Sequence, residues 1–339
     1  MRSKQITIRD VAREASVSTA AVSQAFNSSG RLSDETRKRI LTVAHRLKYR
    51  PNRQARDLAM GNTKTFGIVV SDIENPVFAV IIKNFEAHAR RLGYEVIASE
   101  TGYDVALMQR AAERMIGQKV SGVAIMTSEM NAAWLEEIVG RGIAVTGLDL
   151  DFVSEYASNI KINYASAIQL LLEHLYHLGH RRIGYVGGRR RLRNVHSRHE
   201  SYLRSMTALG LEPGPIVMGN QRLDGGYAAG MSISKMSPRC TAVVAVNDLT
   251  AVGLVNAFSE SGIRVPQDIS VTGFDNTYLA AYFVPRLTTV DIHADTLGRV
   301  AADALYDAVT SRTTGHSEYA VKCDLVVGKS TGPAPDPTI

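Results

Sequence analysis

Residues 7–27 read TIRDVAREASVSTAAVSQAFN, and the spacing of polar and apolar side chains in this stretch sets the architecture of the N-terminal region. Thr7 and Asp10 stand at capping-box spacing, with Asp in place of the usual Glu. Behind them Ile8, Val11, Ala12 and Ala15 recur at helical intervals. The pattern breaks at Ser16-Val17. Ser18 is placed to cap a second helix, whose inward stripe is Ala21, Val22, Ala25 and Phe26. Asn27-Ser28-Ser29-Gly30 supplies the turn formers that end it. Ser33 caps a third helix, with Asp34 and Glu35 in the first turn, where the helix dipole favours anions. Leu41, Ala44 and Leu47 are expected to face inward there, and Pro51 marks the stop.

Three short helices, the first two joined by a tight turn, fit a helix-turn-helix, in which helix 2 lies in the DNA major groove while helix 1 braces it. The outward positions around helix 2 are Ser18, Thr19, Ala20, Ser23, Gln24 and Asn27. Gln pairs bidentately with adenine, and Thr reaches the thymine methyl. A small bundle with an uncommitted polar face has the same spacing, so charge has to decide between the two. Residues 1–60 hold 13 Lys/Arg and 5 Asp/Glu, a net of +8, whereas the rest of the chain nets −2. A basic module on a nearly neutral body is the electrostatic footprint of a nucleic-acid partner.

The same stretch, continued by LSDETRKRILTVAHRLKYRPNRQARDLA at 32–59, closely resembles the DNA-binding headpiece of the lactose-repressor/galactose-repressor (LacI/GalR) family. The resemblance runs through DVA, the A-S-VS turn, the TR of the third helix and Y-x-PN-x-x-A-x-x-L. It implies DNA contacts from Thr7, Ser18, Thr19, Ala20, Ser23, Gln24 and Asn27, with Thr19, Ala20 and Gln24 at the base-reading positions. Ala21 stands where the family usually has Thr, and Gln24 where it often has Arg, so the operator is not copied from a relative. Residues 52–60, NRQARDLAM, resemble the family's hinge helix, which folds when two copies meet on DNA. In that reading Asn52, Ala55 and Leu58 touch DNA, and Leu58 is the apolar wedge inserted into the minor groove.

From Phe66 onward, short β-branched runs alternate with longer amphipathic ones. Strands are expected at 67–72, 95–99, 122–126, 144–149, 182–188, 242–246 and 269–275, with helices at 78–92, 104–117, 165–178, 248–261 and 294–311. Such alternation means parallel sheets with helices on both faces, and the length calls for two lobes. The polar residues at strand ends include Asp72, Thr127, Asp149, Asn247-Asp248 and Asp275, where α/β proteins bind ligands. Strand-end polar groups also serve as helix caps, and each residue taken singly suits either role.

The family resemblance extends across this body through GIVVSDIENPVF, HLYHLGHRRIGYVGG, AVVAVNDLTAVGLVNAFSESGIRVPQDISVTGFDN and YFVPRLTTV. It implies a core like the periplasmic sugar-binding proteins, two doubly wound parallel-sheet lobes, behind an all-α headpiece. The expected division is 1–51 headpiece, 52–63 hinge and linker, and 64–339 effector and dimerisation domain. Within the last, the N-lobe takes about 64–163 and 292–325, and the C-lobe about 164–291 and 326–339. By position, effector contacts fall to Asp149, Arg198, Asn247 and Asp275, with Asp72 and Thr127 beside them. Phe78, Tyr103 and Phe274 are candidates to stack on the ligand or wall it off. Gly328 replaces a frequent Arg before Lys-Ser-Thr, so that family contact is expected to be missing.

Other function classes fit less well. Gly184, Gly187 and Gly188 follow a strand but give neither G-x-G-x-x-G nor the P-loop spacing, and no G-x-S-x-G elbow occurs. His174, His177 and His180 share a helical segment, yet the family's LGH motif accounts for His180 structurally. No catalytic constellation, metal site or cofactor is expected, and Cys240 and Cys323 read as buried small residues. A transport-type sugar-binding protein is disfavoured by the basic headpiece and by the absence of a secretory signal. A cytoplasmic protein without a membrane span is expected. The reading is therefore a repressor that binds a pseudo-palindromic operator as a homodimer and is governed by a small molecule, most simply an inducing sugar. Corepression by a nucleobase-like or other metabolite stays open, as does a constitutive DNA binder whose cleft has lost its ligand. Nothing after GPAPDPTI suggests a heptad extension that would make a tetramer.

Overall fold

The structure, a computed structural model, describes residues 6–27, 32–49, 63–127, 130–150, 157–188, 193–310 and 317–335. The chain separates into two compact units, Met1–Thr63 and Lys64–Ile339.

In the first unit α1 spans Ile8–Glu14, α2 Thr19–Asn27 and α3 Asp34–Arg46. The Thr7–Asp10 capping box is formed on both sides: Thr7 N–H donates to Asp10 Oδ2 at 2.9 Å, and Asp10 N–H to Thr7 Oγ1 at 3.4 Å. Ser18 Oγ accepts from Ala21 N–H at 3.1 Å, and Ser33 Oγ from Thr36 N–H at 3.3 Å. The break between α1 and α2 turns on Ser16, whose φ of 53° lies in the left-handed region. The core comprises Val11, Ala12, Ala15, Val22, Ala25, Ile40, Val43 and Ala44. One expectation is corrected here. Leu41 does not face inward but is 38% exposed, because α3 turns Ile40, Val43 and Ala44 to the core and leaves Leu41 about 100° off that stripe.

The second unit contains two parallel sheets. The larger has strand order β11-β5-β4-β3-β1-β2, formed by β1 (Thr65–Val70), β2 (Glu95–Glu100), β3 (Gly122–Met126), β4 (Ala144–Leu148), β5 (Ala157–Ile162) and β11 (Glu318–Val321). The smaller has order β7-β6-β8-β9, formed by β6 (Ile183–Gly187), β7 (Ile216–Met218), β8 (Ala242–Ala245) and β9 (Ser270–Thr272). All the pairings within these sheets are parallel, as helical crossovers require. A short antiparallel pair, β10 (Thr289–Asp291) with β12 (Asp324–Val326), lies where the chain passes between them.

On the larger sheet, α4 (Pro76–Arg91) packs against α12 (Ala294–Thr310). Phe66, Ile68, Ile81, Phe85, Leu297 and Leu305 are buried in their common core. On the smaller sheet α7 (Tyr164–His177), α8 (Arg193–Ala208), α9 (Leu223–Ser234) and α10 (Asp248–Glu260) supply the cover. The remaining helices are α5 (Val105–Gly117), α6 (Ala132–Gly140) and α11 (Tyr278–Tyr282).

His180 is fully buried, with Thr241, Ser270 and the Gly332 carbonyl 2.9–3.1 Å from its ring nitrogens. Its role is to fasten the segment after β12 onto the smaller sheet. Gly328 belongs to that segment, and a Cβ there would lie 2.3 Å from the Leu287 carbonyl oxygen, so the backbone leaves no room for a side chain. Among the described residues no helix is long and apolar enough to cross a membrane, and no group of three His, Cys, Asp or Glu is gathered to hold a metal ion.

Candidate functional site

Around α2 the DNA-facing candidates divide by what their side chains already do. Thr19, Ala20 and Gln24 are exposed, and no side-chain hydrogen bond or ion pair among the described residues withdraws them from a base edge. Ser18 and Thr7 each spend an oxygen on a helix cap. Ser23 is half-buried, and the side chain of Asn27 lies outside the described residues. Asn52, Ala55 and Leu58 also lie outside them. Arg46 bonds Glu14 at 2.7 Å and so ties α3 to α1.

Of the effector candidates in the second unit, Arg198, Asp149, Asp275 and Phe274 are brought together, with Tyr164 between them. Arg198, from α8, is the centre. Its Nη1 donates to the Val246 carbonyl at 2.6 Å, and Nη2 stands 3.7 Å from Asp275 Oδ1. The guanidinium lies against two rings, 4.2 Å from the centroid of Phe274 and 5.0 Å from that of Tyr164. Arg198 Nε is buried without a hydrogen-bond partner among the described residues. Burial disfavours the charge, but Asp275 and the tyrosines Tyr164 and Tyr185 outweigh it and hold the guanidinium above its ordinary value.

Asp275 follows β9 with φ 107°, fully enclosed. Burial pushes its carboxyl up to about 7. Asp248 adds to the rise, while Arg198 and a hydrogen bond from the Asn75 side chain oppose it. The upward direction is consistent with the geometry, since 3.7 Å to the nearest guanidinium nitrogen exceeds a hydrogen bond. Asp248 itself is pushed up to about 6 by burial, against donors from Thr277 and Thr289.

Asp149 approaches from the end of β4 with φ 51°. It accepts from Tyr164 Oη at 2.7 Å and from Ile162 N–H at 3.0 Å. Burial raises its carboxyl, and these two donors lower it. Tyr164 thus touches Asp149 on one side and Arg198 on the other, a link absent from the sequence reading. Its only sequence signal is its place directly after Asn163, the residue that caps α7.

The other candidates are more occupied. Asn247 caps α10: its Oδ1 accepts from Thr250 N–H and its Nδ2 donates to the Gln221 carbonyl, both at 2.9 Å. Thr127 Oγ1 pairs with Ser71 Oγ at 3.0 Å. Phe274 is fully buried with a face on Arg198, and Phe78 is 9% exposed in the core beneath α4. Tyr103, in the left-handed region at φ 60°, packs with Val195 and Val246. Asp72 does not point at Arg198. It is almost wholly buried and accepts from Arg222 Nε at 3.0 Å. Arg222 was missed in the sequence, as was Gln221, a buried residue at φ 68° whose Oε1 has no partner among the described residues. The turn formers around them, GNQRLDGG, carry no pattern that singles either residue out.

Known proteins resemble the chain over its whole length. Residues 7–52 match the bacterial regulatory proteins of the lacI family, and residues 172–331 match the periplasmic binding protein-like domain. The HTH-type transcriptional repressor PurR of Erwinia tasmaniensis is 32% identical over 333 residues, 97% of this chain and 98% of that protein. The ribose operon repressor of Haemophilus influenzae is 30% identical over 327 residues, 96% and 98% of the two chains. Among solved structures, the Lac repressor dimer bound to operator and the anti-inducer ONPF superposes with a TM-score of 0.85 at 27% identity, covering 97% of this chain and all of that one.

Proposed function

The chain belongs to the LacI family of bacterial regulatory proteins, and we propose that its effector is a sugar or similar hydroxyl-rich metabolite held by Arg198, Asp275 and Asp149 between the two parallel sheets. The protein is a transcriptional repressor that binds operator DNA, forms dimers and answers to a small molecule; it is not an enzyme. The observation that carries the effector reading is the state of Arg198. A buried guanidinium with a free Nε, facing a carboxylate too distant for a hydrogen bond, is a donor and acceptor pair awaiting a third group. A hydroxyl satisfies both partners at once, since it accepts from the guanidinium and donates to the carboxylate. The ribose operon repressor among the relatives is consistent with a sugar.

In this reading Thr19, Ala20 and Gln24 meet base edges, and Thr7, Ser18, Ser23 and Asn27 meet the flanking backbone. Asn52, Ala55 and Leu58 engage the centre of a pseudo-palindromic operator, each protomer reading one half-site. The protein acts in the cytoplasm, where its DNA lies. Effector binding lowers operator affinity, which it can do only by binding one conformational state more tightly than the other.

The test is thermal stability against pentoses, hexoses, disaccharides, sugar phosphates and nucleobases. A ligand at about 100 times its Kd stabilises the fold by about 2.7 kcal/mol, a readable shift. A sugar hit that also releases operator DNA supports the proposal. A nucleobase hit that tightens operator binding replaces it with corepression.

A further inference from the structure

Arg222 occupies a position that its local structure does not favour. It is the N-cap of α9, where Ser, Thr, Asp and Asn satisfy the exposed N–H groups and where the helix dipole disfavours a cation. Its side chain makes no capping bond. The preceding turn nevertheless holds it in place. Gln221 is in the left-handed region, and Asn220 accepts from Arg222 N–H at 3.0 Å while reaching Asp224 with its amide. A residue kept against its local preference points to a use elsewhere.

That use lies on the other lobe. Arg222 belongs to the lobe of the smaller sheet, and its guanidinium grips the loop that leaves β1 in the other lobe. Nε and Nη2 both donate to Asp72 Oδ2, at 3.0 and 2.9 Å, and Nη1 stands 3.5 Å from Glu74. The Asp72 side chain is 1% exposed and is met by Arg222 and by the Glu74 N–H, which donates to Oδ1 at 3.0 Å. The same loop ends at Asn75, which caps α4 through Oδ1 and whose side chain faces the effector candidate Asp275 of the opposite lobe. One short segment, 72–75, therefore joins the lobes twice, once by charge and once through the proposed binding site.

We propose that Arg222 and Asp72 form an ionic latch that holds the two lobes together before effector arrives, and so sets how much effector is needed. Separating the lobes breaks both guanidinium contacts and strips Asp72 of its counter-charge until water replaces it. The latch and the effector favour the same closed arrangement. By linkage, losing the latch weakens effector binding and moves operator affinity in the direction opposite to that produced by effector. This rests on the reading of the cleft as the effector site, but the latch itself is tested without any effector.

Spin labels placed at Glu113→Cys on α5 and Lys235→Cys after α9, both exposed sites on opposite lobes, report the separation by electron–electron dipolar spectroscopy. The native cysteines are buried, and mixing with excess unlabelled chain isolates one labelled protomer. Arg222→Gln is expected to raise the open fraction about tenfold, equivalent to about 1.4 kcal/mol. Asp72→Asn should do the same, the double variant no more than either alone, and Arg222→Lys should restore part of the closure. Molar salt should open the wild type and leave Arg222→Gln unmoved. An unchanged distance distribution in both single variants, or two effects that simply add, overturns the latch. If the latch passes and no sugar binds, the effector reading fails alone.

Discussion

The Tyr164 hydroxyl donates to Asp149 at 2.7 Å while the same ring lies beside the Arg198 guanidinium, so one aromatic residue links the two strongest effector candidates from opposite lobes. Its hydrogen bond is the largest of the effects that oppose the burial-driven rise in the Asp149 pKa. Tyr164→Phe should leave Asp149 more readily protonated. The expected outcome in calorimetry is effector affinity about tenfold weaker, with the deficit growing as pH is lowered, since hydrogen bonds to charged groups contribute about 1.5–3 kcal/mol. Equal affinity at every pH would remove Asp149 from the site.

Arg198→Ala should abolish the effector response while operator binding by the unliganded protein stays within about threefold of wild type. The side chain is buried far from any DNA-facing candidate in sequence, and its contacts are all within the second unit. Operator titrations with and without the sugar found by thermal shift decide it. A variant that responds at ordinary ligand concentrations refutes the assignment.

Asp275 gives a pH signature with a definite sign. Its folded value of about 7 lies above the ordinary 3.8, so the stability it contributes is complete below about pH 4 and is lost as pH rises through 7. Asp248, at about 6, acts in the same direction at lower pH. These two carboxyls should therefore pull the melting temperature of the unliganded protein down as pH rises toward 7, against His174 and His180, whose lowered values act the other way below about pH 6.5. Asp275→Asn should flatten that profile and raise Tm at pH 8 by about 5 °C. A parallel profile in the variant would mean that Asp275 stays ionised throughout.

Much of this fold was legible because its periodicities are strong. The capping box at Thr7, the caps at Ser18 and Ser33, and strands such as β1, β3 and β8 follow directly from residue pattern. What escaped was set by tertiary contact. Helix α9, LDGGYAAGMSIS, carries three glycines and reads as a loop, yet it packs closely on α10. A Cβ at Gly226 would meet the Thr250 carbonyl oxygen at 2.3 Å, and one at Gly253 the Leu223 oxygen at 2.2 Å. The glycines are there for close approach of two backbones, which no window of sequence reveals. Leu41 was misplaced for a smaller reason: its neighbour Ile40 carries the stripe. In the candidate site, Arg198, Asp149 and Asp275 were named from the family pattern, whereas Tyr164, Gln221 and Arg222 emerge as neighbours of the candidates only when both lobes are in place.

Gly253→Ala tests the packing directly. The added methyl meets backbone on the facing helix, which cannot rotate away as a side chain would. A loss of about 2–3 kcal/mol in denaturant unfolding is expected, as for overpacked cores. A loss under 0.5 kcal/mol would show that α9 and α10 separate freely.

For the DNA-facing half, Leu58→Ala should weaken binding to the specific operator at least tenfold and leave non-specific binding unchanged, since a wedge acts only where the DNA is bent. Gln24→Ala should relax preference at single base pairs, at about 1–3 kcal/mol each. Equal losses on specific and random DNA would reassign either residue to general phosphate affinity.

The interleaved path of the chain also governs the order in which the protein can be made. Strand β11 pairs with β5, and α12 covers the Phe66 and Phe85 core, yet both come from residues 294–321. At a synthesis rate of about 5–20 residues per second, the first-made strands wait roughly ten seconds or more for the helix that shields them. During that interval the apolar face around Ile81 and Phe85 is open to water, to chaperones and to other nascent chains. The half of the core that begins translation first is thus completed only near the end of synthesis, and a chain cut short before residue 294 is left with an uncovered, aggregation-prone sheet.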